Sequence, residues 1–140
     1  MFAAIASLVG IVLGAFIQFY FSKYLEQQRH RREIQTKAYT DYLNCVSDHA
    51  NQRYDRQSSE GRALGARTAD AKCRICLYGS SKAIEAFAKF ERLGATMNTD
   101  EQCDAFVNMV AAMRNDSIND ASIESENLRL VLLGKGQKPR

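Results

Sequence analysis

MFAAIASLVGIVLGAFIQFYFS, residues 1–22, decides how the rest of this chain is read. Its polar side chains are Ser7, Gln18, Tyr20 and Ser22, and the first charged side chain is Lys23. A helix needs about 20 apolar residues to cross a bilayer, and this run supplies them. A secretory leader fits poorly. No Lys or Arg precedes the apolar run, which passes into FIQFYFSKY without a small-x-small cleavage site. The expectation is an uncleaved transmembrane helix, with a buried helix of a soluble domain as the competing reading.

The flanks set an orientation. Lys23, Arg29, Arg31, Arg32 and Lys37 follow the run against Glu26 and Glu33, and no basic side chain precedes it. Positive-inside bias then puts the N-terminus outside and the remainder in the cytoplasm. Phe16, Phe19, Tyr20, Phe21 and Tyr24 crowd the same end, where amphipathic rings favour the interface. The basic cluster can rest on anionic headgroups, although a plain stop-transfer flank accounts for it as well.

Ala6, Gly10, Gly14 and Gln18 are spaced by four and share one stripe of that helix. Small-xxx-small stripes let helix backbones approach closely, and a glutamine in lipid seeks a hydrogen-bond partner. With one membrane helix in the chain, that partner is expected on another molecule. A homo-oligomer is the leading reading, and a monomeric anchor with Gln18 reaching to the headgroups is the alternative.

Elsewhere the chain has an ordinary globular balance. Of its 140 residues 46% are hydrophobic and 25% charged, so disorder is not indicated. Mean hydropathy of −0.34 conceals the apolar front. A formal charge of +3 is too mild to imply nucleic acid. One proline and no long alternating run point to an all-α chain. No glycine or proline lies between Gly14 and Gly61, so the first helix can continue to about Gln57, a rod of roughly 80 Å. Ile34, Ala38, Tyr42, Val46 and Ala50 form its inner face, with Cys45 and His49 alongside.

A turn at Ser58–Gly61 precedes a helix over 62–78, which Gly79 stops, and Ser80 or Ser81 caps the next. That third helix presents Ile84, Phe87, Ala88 and Phe90 and ends at Gly94. Thr99 and Gln102 have capping-box spacing for a fourth, carrying Cys103, Phe106, Val107, Val110 and Met113 on one face and breaking at Asn115–Ser117. A fifth, over 122–133, offers Ile123, Leu128, Val131 and Leu132. The expected organisation is a transmembrane helix over 1–22 that continues into a long cytoplasmic helix. Three or four shorter helices pack on it to form a bundle over 23–134, and 135–140 make a flexible tail.

Chemistry is sparse. Cys73-Arg-Ile-Cys76 is a CxxC, and Cys45, His49, Cys73 and Cys76 allow a Cys/His zinc site to be drawn. Thiols beside apolar helix faces more often pack as small hydrophobes, so these are weak candidates and no metal or other cofactor is expected. His30 sits in a charged stretch as a solvated side chain, and His49 reads as a packing residue. Met113-Arg114-Asn115-Asp116 is either a recognition knob or, more simply, a helix end where Arg114 covers carbonyls and pairs locally. No paired acids, P-loop or nucleophile arrangement stands out, and no enzyme is indicated.

LYGSSKAIEAFAKFE, DAFVNMVAAMRNDS and the terminal NLRLVLLG resemble a set of uncharacterised bacterial membrane proteins. These combine an N-terminal membrane helix, a charged RRE-type stretch, a GS-x-x-x-I-E-A-F turn and helix, and an MR-x-D helix end. In layout the chain is similar to the membrane accessory protein of Cas13b-type CRISPR systems. That resemblance implies an oligomeric, pore-like antiphage component acting on membrane lipid, with a HEPN-like bundle. The Arg/His motif of HEPN ribonucleases is absent here, which turns the expectation away from RNA cleavage and toward a structural or pore role. A monomeric adaptor whose bundle recruits a partner protein is the alternative.

Overall fold

Helix after helix is what a chain with few breakers and many apolar residues at spacings of three and four adopts. The computed structural model describes residues 2–51, 57–118 and 123–134, with side chains given from Gly10 onward apart from Val12. Five α-helices and no strand occur among them: α1 (Phe2–Asn51), α2 (Ser59–Tyr78), α3 (Ser81–Arg92), α4 (Asp100–Ile118) and α5 (Ser125–Leu133). The chain divides into two units, Met1–Glu33 and Ile34–Arg140. Among the described residues no helix is long and apolar enough to cross a membrane. The front of the apolar run, 1–9, has its side chains outside that description.

The helix ends follow local chemistry. The Ser58 hydroxyl accepts the Gly61 N–H at 3.0 Å, and the Ser80 hydroxyl accepts that of Ala83 at 3.1 Å. At the start of α4, Thr99 Oγ1 accepts the Gln102 N–H (3.3 Å) while Gln102 Oε1 accepts from Thr99 (3.2 Å) and Asn98 (2.9 Å). The same Gln102 amide donates to the Leu93 carbonyl at 2.7 Å and so ties α4 to the end of α3. Gly94, at φ 90, makes the left-handed exit from α3.

Two expected boundaries differ, at the end of α4 and the start of α5. The first helix is described to Asn51, and 52–56, over which it is expected to continue, lie outside the described residues. Asn115–Ser117 does not break α4, which runs on to Ile118. The last helix starts at Ser125, with 119–122 outside the description, as is the expected tail 135–140.

The core of the second unit is built from Ala38, Tyr39 and Tyr42 of α1, Ala71 and Ile75 of α2, Ala83, Phe87 and Phe90 of α3, and Ala105, Phe106, Met109, Val110 and Met113 of α4. Buried alanines contributed by four helices keep the packing surfaces shallow, which lets axes approach. Aromatic rings fill the remainder. Tyr42 meets Phe87 edge-on at 4.9 Å, and Phe90 tilts against Phe106 at 5.4 Å.

Asp116 gathers the polar contacts of this core. Its Oδ2 accepts from the Tyr39 hydroxyl (2.7 Å), the Gln35 amide (3.2 Å) and the Ser80 N–H (3.3 Å), joining α4, α1 and the α2–α3 turn. The turn must come close for this, and Gly79 allows it. Its backbone is extended (φ −67°, ψ 154°), which any residue adopts, so the demand is for space. A Cβ there would lie 2.6 Å from the Ile75 carbonyl and 3.3 Å from the Tyr39 hydroxyl. Asp116 is therefore a long-range acceptor that ties a helix end to distant parts of the chain.

Burial and the neighbouring Asp116 carboxylate push the Tyr39 phenol up to about 12. Burial comes first for Tyr42 as well, followed by Glu91, and its phenol is also raised. A raised phenol holds its proton longer in the folded state. Its stabilisation is complete below the ordinary phenol range and is lost as pH climbs from about 10 toward 12. Urea midpoints followed by far-UV circular dichroism are expected to fall across that window, less steeply in Tyr39→Phe. Asp116→Ala leaves buried donors without an acceptor and is expected to cost about 1–3 kcal/mol at neutral pH. Gly79→Ala is expected to cost about as much through overpacking in the same assay.

Candidate functional site

Two features of the surface depart from what a self-contained helical protein shows, one in each unit. In the first unit, Ile11, Leu13, Phe16, Ile17, Phe19, Tyr20, Phe21, Tyr24 and Leu25 are each 57–77% exposed. They occupy every side of α1, because nine residues in fifteen positions at 100° per residue leave no polar face. Scattered exposed apolar residues are ordinary, whereas a continuous sleeve marks a surface meant for something other than water.

Of the stripe read from the sequence, Ala6 lies outside the described side chains, and Gly10, Gly14 and Gln18 are exposed. Nothing stands within 4 Å of where a Cβ would project from Gly10 or Gly14, so their notches are open. Lys23, Arg29, Arg31 and Arg32 follow on the same helix, all exposed, and Lys37 is exposed at the start of the second unit.

In the second unit the departure is α5. Its buried residue is Arg129, only 6% exposed, while Leu130 and Leu132 are exposed and Val131 is 82% exposed. This overturns the expected inner face of Val131 and Leu132, because a single ion-paired arginine sets the rotation of the helix. The Arg129 guanidinium reaches Asp104 through Nη1 and Asp100 Oδ1 through Nη2 at 2.8 Å. Its Nε is buried without an acceptor among the described residues. The two aspartates are one turn apart at the N-terminus of α4, where their charge also suits the helix dipole. Together with Lys89, Glu101 and Glu126 they line a cleft of about 570 Å³.

The sequence did carry signals for this cluster that the apolar pattern masked. They were an arginine inside LRLVLL and two aspartates four apart.

Other ion pairs brace the bundle. Arg74 bridges Asp41 (2.8 Å) and Asp70 (2.7 Å), and Lys72 meets Glu91 at 2.7 Å beside the Phe87 ring. Of the weak metal candidates, Cys45 is buried, Cys73 and Cys76 are exposed on α2, and His49 is exposed rather than packed. No group of three or more His, Cys, Asp or Glu that could hold a metal ion occurs among the described residues.

No protein-family model matches the chain, and neither a curated protein nor a solved structure does.

The geometry around Arg129 yields an asymmetric expectation. Its aspartates are half-exposed or more, so they tolerate loss of the cation, whereas Arg129 does not tolerate loss of both anions. Arg129→Met is expected to change stability by less than about 1 kcal/mol, while Asp100→Asn with Asp104→Asn is expected to cost about 1–3 kcal/mol. Amide hydrogen exchange in α5 checks this: protection is retained in the first variant and lost in the second.

Proposed function

We propose that residues 1–22 anchor this chain in a bacterial inner membrane. The N-terminus lies outside, and the chain serves as a non-enzymatic assembly protein whose helical bundle sits in the cytoplasm. The observation that carries the proposal is the sleeve of exposed apolar and aromatic residues from Ile11 to Leu25. At roughly 25 cal/mol per Å², a sleeve of that size costs many kcal/mol in water, which lipid removes. The aromatic cluster at Phe19–Tyr24 followed by Arg29, Arg31 and Arg32 is the order found where a helix leaves a bilayer toward the cytoplasm.

Self-association supplies the function. The open notches at Gly10 and Gly14 and the neighbouring Gln18 suit a second copy of the same helix, with Ala6 extending the stripe in sequence. Similarity of layout to the membrane accessory protein of Cas13b-type CRISPR systems supports reading such an assembly as a pore-like, membrane-perturbing antiphage component. The competing reading, a monomeric anchor that recruits a partner protein, draws on the exposed Leu77 and Ile118 of the bundle.

Alkaline carbonate extraction of membranes from expressing cells is the first test. The full chain is expected to stay in the pellet, and release into the supernatant would overturn the anchor. Light scattering in mild detergent is the second. Here the wild-type chain is expected as an oligomer and Gly10→Leu with Gly14→Leu as a smaller species, whereas a wild-type monomer supports the adaptor instead.

A further inference from the structure

Where the apolar sleeve of α1 gives way to charge, the acids are gathered on one side of the helix. Glu26 and Glu33, seven residues apart, share a face, and Arg29 and His30 lie beside them at spacings of three and four. About 120° further round, Tyr20, Lys23, Tyr24, Gln27 and Arg31 fall within an arc of about 100°, a stripe that carries no acid. All five are exposed. Among the described residues no ion pair engages Lys23 or Arg31. Phe19, Tyr20, Lys23 and Gln27 line a groove of about 440 Å³ along this side.

We propose that the stripe binds the headgroup of one anionic phospholipid, with Lys23 and Arg31 pairing with its phosphate. Gln27 and the Tyr20 and Tyr24 hydroxyls donate to its remaining oxygens. The inference rests on the anchored reading above and names the lipid that the anchor contacts. From Lys23 to Gln27 the helix rises about 6 Å, the depth of the polar layer on one side of a bilayer. Arg31 stands one turn further out. Side chains on a helix lean toward its N-terminus, so this guanidinium reaches back to the phosphate level, where its planar fork matches the phosphate oxygens.

Charge selects the occupant. A zwitterionic headgroup brings a cation of its own, and the stripe has no acid to receive it. A second copy of the helix meeting this face would set like charges against each other. Gln18, the nearest member of the small-residue stripe, lies on the opposite side of the helix, so a lipid bound here leaves that side open to another chain.

The test is native mass spectrometry of the full-length chain in mild detergent, titrated with phosphatidylglycerol, cardiolipin or phosphatidylcholine. Wild type is expected to retain either anionic lipid at least about five-fold more tightly than phosphatidylcholine, as two paired cations near a headgroup provide. Lys23→Gln with Arg31→Gln is expected to remove that preference. Arg29→Gln with Arg32→Gln removes the same charge from off the stripe and is expected to weaken binding by less than about two-fold. Lys23→Arg, which keeps the charge in place, should bind as wild type does.

Equal losses in the two double variants would mean diffuse attraction and overturn the site, as would equal retention of anionic and zwitterionic lipid. Displacement of the lipid by millimolar inorganic phosphate would assign the stripe to a free anion and overturn the lipid reading. A chain that carbonate leaves in the membrane but that shows no lipid preference overturns this inference and leaves the anchor standing. A chain that carbonate releases, yet that still prefers anionic lipid through Lys23 and Arg31, overturns the anchor and supports the headgroup site as a surface contact.

Discussion

The bundle depends on one carboxylate. Asp116 on α4 accepts a phenol and a side-chain amide from α1 and a backbone N–H from the α2–α3 turn. Each of those groups would be costly to bury alone. Sharing one acceptor turns three potential penalties into a junction that fixes where α1, α4 and the α2–α3 turn meet. The apolar residues around it supply most of the driving force but little direction, because burial is proportional to area and tolerates rotation and sliding. Hydrogen bonds at 2.7–3.3 Å do not tolerate either.

That junction gives meaning to two short motifs that are distant in sequence. The Gly79-Ser80 turn and the Asp116 helix end stand out in the chain as a glycine-serine pair and an MRND string, and nothing local shows that they belong together. In the structure Ser80 does two jobs: its hydroxyl caps α3 and its N–H reaches Asp116. Gly79 is required by the closeness of that approach rather than by its backbone angles. The anchoring of α5 follows the same logic, since Arg129 finds two aspartates on α4 and the helix rotates to let it.

Local signals were legible. The capping box at Thr99 and Gln102 and the stop at Gly94 are written in residues within a turn of each other and form as read. Of the expected α4 face Phe106, Val107, Val110 and Met113 are buried, while Cys103 is half-buried and the unread Ala105 and Met109 join them. What failed was inference from apolar pattern alone where a charge outweighed it. Val131 faces out because an arginine paired with two carboxylates gains more from the inside position than a valine does. His49 lies one turn past Cys45, the last buried residue of α1, and is exposed, although its spacing from Cys45 suggested packing. Asn115–Ser117 read as a break because those residue types favour turns. They remain helical: the Ser117 hydroxyl turns back to the Met113 carbonyl instead of opening a turn, and the long-range contacts of Asp116 to Tyr39 hold the helix end in place.

By itself the sequence determined that this chain builds its described residues from helices, and that its front end carries an apolar run bounded by aromatics and then by arginines. Those are properties of residues and their near neighbours, readable from spacing and composition. Which face of α5 turns inward was decided only by the tertiary structure, along with which acid serves as the common acceptor and which arginine goes inside. Each of these is settled by partners 25 to 81 residues away, and a competition between burying apolar area and satisfying a charge has no outcome until those partners are in place.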